Sequence, residues 1–192
     1  MHWLIARLLF GPTLAWNLLL NRLVSRRRWW DRLDDRVLLG ALPFAADVPA
    51  LAAEGVRAVV NTCEEYAGPA AAYAIADIEQ LRIPTVDFTP PRLEDIERAV
   101  AFITEHAARG ETVFIHCKAG RGRSATVALC WLIASRGMTP AEAQALLQEK
   151  RPHVSRSLHE RAVVRRFAES CRQSKTTTPA SPQRAQSTQR RF

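Results

Sequence analysis

Apolar positions recur along the chain with two different periods, and the switch between them lays out the elements. Short β-branched runs at 36–40, 56–62, 83–88 and 113–116 predict strands. Ile96, Ala99, Val100, Ile103 and Ala107 recur at helical spacing, predicting a helix over 94–109 with Gly110 as its stop. Residues 124–136 are apolar on most sides, which predicts a helix buried inside the domain. Thr139-Pro140-Ala141-Glu142 has the form of a capping box with Pro at the first helical position, opening a helix to Lys150. Ser157-Leu158-His159-Glu160 predicts the start of a last helix in the same way. Strands alternating with helices imply an α/β domain whose sheet is covered on both faces.

The two ends break this pattern. In residues 1–24, Gly11-Pro12 and Arg7 interrupt the apolar run of about 20 residues that a spanning helix needs. Thr13, Asn17 and Asn21 recur every four positions, a polar stripe on a segment otherwise rich in Leu and Trp. Arg22, Arg26, Arg27 and Arg28 follow, with Trp29 and Trp30 behind them. Apolar side chains, cations and indoles at one edge predict a membrane-interfacial helix. Packing on the domain's own core, an organelle transit role and a single tilted span are the alternatives; in a span, the arginines would keep the body on the cytoplasmic side. Residues 174–192 are Ser, Thr, Pro, Gln and Arg with one aromatic, which predicts a disordered basic tail. The chain thus divides into a hydrophobic, basic segment 1–32, a domain 33–173 and a tail 174–192.

Charge sharpens this division. The net +8 of the 192 residues is +5 in 1–32, +4 in 174–192 and −1 between them. The basic pI near 10.2 therefore belongs to the ends, which argues against nucleic acid as a partner and for an anionic surface. Cys63, Cys117, Cys130 and Cys171 include no Cys-x-x-Cys pair and no His at ligand spacing, so neither a metal site nor a disulfide framework is expected. A reducing compartment follows. Cys130 sits in the apolar run 127–133 and reads as a buried thiol.

The informative stretch is His116-Cys117-Lys118-Ala119-Gly120-Arg121-Gly122-Arg123-Ser124, between a buried strand and a helix start. Such a loop converges backbone N–H groups on one spot where the helix dipole favours negative charge, and Gly120 and Gly122 permit the backbone angles this needs. A phosphate group fits there, cradled by Lys118 to Arg123. The same field lowers the Cys117 thiol toward a nucleophilic thiolate. Arg123 can grip two phosphate oxygens and offset transition-state charge. Ser124 can donate to the sulfur as it leaves, and His116 is expected to hold loop geometry through hydrogen bonds. Lys118 and Arg121 are expected to face an anionic substrate. Gly120-x-Gly122-x-x-Ala125 imitates a dinucleotide fingerprint, but its acidic partner, Glu142, falls at a helix start rather than a strand end.

This loop resembles the Cys-x5-Arg signature of the protein tyrosine phosphatase superfamily, in its dual-specificity branch. Arg36-Val37-Leu38-Leu39-Gly40-Ala41-Leu42-Pro43, Thr62-Cys63-Glu64-Glu65-Tyr66 and even Ala6-Arg7-Leu8-Leu9-Phe10-Gly11-Pro12-Thr13-Leu14 are similar to the mitochondrial-type members. Those remove the terminal phosphate from phosphatidylglycerophosphate. The resemblance implies a cysteine-based phosphatase fold with a central mixed sheet, no cofactor, and a monomer meeting an anionic phospholipid at a membrane, or phosphoproteins as the alternative substrate. A phospholipid- or phosphoprotein-binding module without activity is the other alternative. It also implies Asp87 as the acid that protonates the leaving alkoxide, with Asp95 a weaker candidate. Glu64 and Glu65 either shape the pocket or are solvated. Where many members present a Gln for the hydrolytic water, this chain has His159, which is otherwise helix surface, as are His106 and His153.

Overall fold

The computed structural model describes residues 28–177, together with the single position Pro12. The interfacial helix expected within residues 1–24 lies outside the described residues. Five strands form one sheet: β1 (Trp30–Arg32), β2 (Val37–Gly40), β3 (Val56–Cys63), β4 (Glu79–Thr85) and β5 (Thr112–His116). Their order is β1-β2-β5-β3-β4, with β1 antiparallel to β2 and the other pairs parallel. The sheet is mixed, as the resemblance implies.

Period-two alternation explains why both faces are covered. Val37, Leu39, Val113 and Ile115 point into one core, and Leu38 and Phe114 into the other. Helices α1 (Val48–Ala53) and α2 (Ala70–Ile75) close the second face through Val48, Leu51 and Tyr73. The first face takes α3 (Leu93–Ala108), α4 (Arg123–Arg136), α5 (Pro140–Lys150) and α6 (Ala162–Thr177). Within α4 every residue from Arg123 to Ile133 is buried, because it runs through the centre of this layer.

Several boundaries differ from the pattern, each for a local reason. The expected strand 83–88 is instead Glu79–Thr85, an edge strand whose polar positions hid its start. Its far end is cut short where Thr89 N–H donates to Val86 O and Phe88 turns to φ +66°. The expected cap at Ser157 does not form: Gln144 Oε1 takes the N–H groups of Leu158 and His159, leaving a single 3-10 turn before α6. The sheet starts at Trp30, inside the segment assigned to 1–32, because Asp31 is buried against Arg151. Helix α6 runs to Thr177, past the expected boundary at 173, since extending a formed helix adds a hydrogen bond without a new nucleus. His106, expected at the surface, is buried and pairs with Glu111 at 2.6 Å. Among the described residues no helix is long and apolar enough to cross a membrane.

Candidate active site

Parallel strands leave a crevice at their carboxyl ends. Here β5 is the central strand, so the loop after His116 opens at the middle of that edge. Residues 117–122 form this loop, and α4 begins at Arg123. Among the described residues no side chain caps α4, since its N-cap is Gly122, which leaves its first N–H groups to the loop.

Gly120 is the residue that the loop geometry requires. Its φ is +66°, and a Cβ there would lie 2.5 Å from the Gly40 carbonyl. Gly122, expected to share this role, has φ −126° and room for a side chain, so it is not under the same constraint. The loop is braced from behind by Arg151, which is 1% exposed. Its Nε donates to Gly120 O at 3.0 Å, Nη2 to Ala119 O at 3.2 Å and Nη1 to Asp31 Oδ2 at 2.6 Å. Sequence reading missed Arg151, since an Arg just past a helix end ordinarily reads as dipole compensation.

Cys117 sits at the floor of the loop, 4% exposed. Its Sγ accepts from the backbone N–H of Gly120 and from Ser124 Oγ, both at 3.2 Å. Burial pushes the thiol up, but the Arg123 charge, Ser124 and the loop amides outweigh it and bring the pKa down to about 7. A sizeable thiolate fraction at neutral pH follows.

Arg123 is 2% exposed and held from one side: Nη1 donates to Thr85 O and to Glu65 Oε2, both at 2.8 Å. Its Nη2 lies 3.1 Å from Asp87 Oδ1 but out of line for a hydrogen bond, and its Nε also has no acceptor among the described residues. Buried donors of this kind await a ligand, and a phosphate offers the matching pair of oxygens. Asp87 lies in the turn after β4 and faces both Arg123 and Lys118 Nζ. Lys118, expected to point at substrate, lines the pocket while buried on Asp87. Of the two glutamates, Glu65 enters the site through Arg123 and Glu64 is exposed.

His116 braces the strand end through its backbone, whose carbonyl accepts from Thr62 Oγ1 at 3.0 Å, while its ring packs against Phe114 and Tyr66. Burial pushes its pKa down to about 3, so the ring is neutral. Asp95 pairs with Arg98 on the first turn of α3, away from the loop. The cavity over Cys117 has about 510 Å³ and is rimmed by Phe88, Arg121, Ser155 and Arg161. Arg121 is exposed, with Nε donating to His153 O at 2.9 Å. Ser155 and Arg161, rather than His159, bring the 155–161 segment to the cavity. Among the described residues no group of three or more His, Cys, Asp or Glu side chains is arranged to hold a metal ion.

Residues 37–169 match the dual specificity phosphatase catalytic domain. The chain is 44% identical over 165 residues to the phosphatidylglycerophosphate phosphatase PTPMT2 of Arabidopsis thaliana, covering 84% of this chain and 72% of that protein. It is 37% identical over 172 residues to phosphatidylglycerophosphatase and protein-tyrosine phosphatase 1 of Mus musculus, covering 85% and 89%. A crystal structure of PTPMT1 in complex with PI(5)P superposes with a TM-score of 0.71 at 34% identity, over 77% of this chain and 99% of that one. A thiolate cradle on this sheet and a match through nearly all of the domain have one explanation: the chain belongs to the dual specificity phosphatase family and is a cysteine-based phosphatase.

Proposed function

We propose that this enzyme removes the terminal phosphate of phosphatidylglycerophosphate through a phosphocysteine intermediate. The observation that carries the substrate is the 44% identity, across most of the chain, with a phosphatidylglycerophosphate phosphatase. The phosphoinositide complex of PTPMT1 supports a phospholipid headgroup as the ligand class.

In this reading the phosphate enters the loop, with Lys118 to Arg123 as its cradle, and takes the open donors of Arg123. The Cys117 thiolate attacks phosphorus, the phosphorus–oxygen ester bond breaks, and the departing alkoxide takes a proton from Asp87. Arg123 offsets the charge on the equatorial oxygens, a role that a preorganised guanidinium fills at no reorganisation cost. Water then attacks the phosphocysteine and Asp87 recovers its proton from that water. Ser124 donates to the leaving sulfur, returning the thiolate and inorganic phosphate. The protein works as a monomer at an anionic membrane surface, on the reducing side. The +5 of residues 1–32 and four unbridged cysteines support that location.

The mouse relative's name also includes protein-tyrosine phosphatase, which keeps phosphoproteins as a second reading. Turnover by the full-length protein separates them, using phosphatidylglycerophosphate in vesicles, phosphoinositides in the same vesicles, and phosphotyrosine peptides. The lipid reading expects kcat/KM for phosphatidylglycerophosphate to lead by about tenfold or more. A lead for the peptides would replace it with the protein reading.

A further inference from the structure

Cations near Cys117 fall into two groups. Arg123 faces Glu65 and Asp87, Lys118 faces Asp87, and Arg151 faces Asp31. Arg121 and Arg161 also belong to the loop region, yet neither meets a carboxylate among the described residues. The segments 1–27 and 178–192 contain no Asp or Glu, so no acidic side chain from there can neutralise them.

Arg161 is the more informative of the two because it is built in. The Gln144 amide fixes the turn just before it, and the Arg161 carbonyl accepts the first N–H groups of α6, from Val164 and Arg165. Its Nη1 donates to Thr126 Oγ1 at 2.6 Å, on the first turn of α4. Its Nη2 comes within 3.8 Å of where a Cβ on Gly122 would sit, at the lip of the cradle. Nη1 also reaches Gly122 O at 3.5 Å, so this half-buried guanidinium, in the wall of a phosphate pocket and without an acid among the described residues, has Nε and Nη2 available for a ligand anion.

We infer that Arg161, assisted by Arg121 at the rim, forms a second anion subsite. It receives a phosphodiester close to the scissile phosphomonoester, and so selects substrates that carry two phosphates. Phosphatidylglycerophosphate has such a pair, separated by one glycerol, and for that natural substrate the inference rests on the reading above.

The test uses two soluble substrates, the deacylated headgroup glycerophosphoglycerophosphate and glycerol 3-phosphate, which has the monoester alone. The wild type is expected to favour the headgroup by about tenfold or more in kcat/KM. Arg161→Met should lose about tenfold on the headgroup, mostly through KM, and less than about threefold on glycerol 3-phosphate. Arg161→Lys keeps the charge without the fork and should fall between. It also carries the test should the Met variant not fold, as a KM increase confined to the headgroup. Equal losses on both substrates would make Arg161 a brace for α4, and absence of a wild-type preference would remove the subsite. Because neither substrate has acyl chains, the result stands apart from the lipid-versus-peptide comparison: a peptide preference there overturns the lipid reading and leaves this ratio to decide Arg161.

Discussion

Cys117 and Cys130 are both buried, one at the mouth of α4 and one along its body, yet their thiols behave in opposite ways. Burial pushes both up. For Cys130 little opposes it, and the thiol is held protonated well above the ordinary range. For Cys117 the nearby guanidinium, the Ser124 hydroxyl and converging amides reverse the direction. Burial alone therefore makes a cysteine inert; what surrounds the sulfur makes it a nucleophile. The same contrast separates the two ends of the helix layer. Packing in the body of α4 satisfies its groups internally, whereas at its first turn Arg123 keeps donors without acceptors.

The strongest way to break this contrast is to take the sulfur out of the loop. Cys117→Ser is expected to lower turnover by at least about a thousandfold while the protein still binds vanadate, measured by calorimetry beside the rate assay. Retained turnover would mean that another group attacks phosphorus. Asp87→Asn leaves the thiolate and removes its proton-donating partner. It should cost about a hundredfold for glycerol phosphates, whose alkoxide must be protonated, and less than about tenfold for para-nitrophenyl phosphate. An equal loss on both would end the acid assignment. The smallest effect is expected at the other thiol: Cys130→Ala should keep kcat/KM within about twofold and cost about 1 kcal/mol of stability in thermal unfolding.

What the sequence made legible follows from how local each feature is. The loop could be read because Cys117, Gly120, Arg123 and Ser124 lie within one turn of chain between a strand and a helix. The central strands β2, β3 and β5 were equally plain, since both their faces are apolar. Arg151 and Arg161 were not, because they reach the loop from two helix ends distant in sequence and carry no local mark of it. Short α1 and α2, built largely of Ala, have too few turns to show a period. Glu64 and Glu65 are indistinguishable in sequence, and only the path of the chain after β3 directs Glu65 to Arg123. Lys118 is expected from the sequence to face an anionic substrate, and its pairing with Asp87 is not legible there because that carboxylate follows another strand.

The lowered thiol also links folding to pH. With about 7 in the folded chain against 9.0 for a free thiol, the stabilisation it contributes is present above pH 9 and lost as the pH falls through 7. The most direct test of the account is the rate of iodoacetamide labelling at Cys117 against pH, read by mass spectrometry with Cys130 in the same digest as reference. The account predicts a rate that rises to a plateau with its midpoint near 7, while Cys130 stays unlabelled in the folded protein. A Cys117 midpoint near the free-thiol value of 9.0 would contradict it.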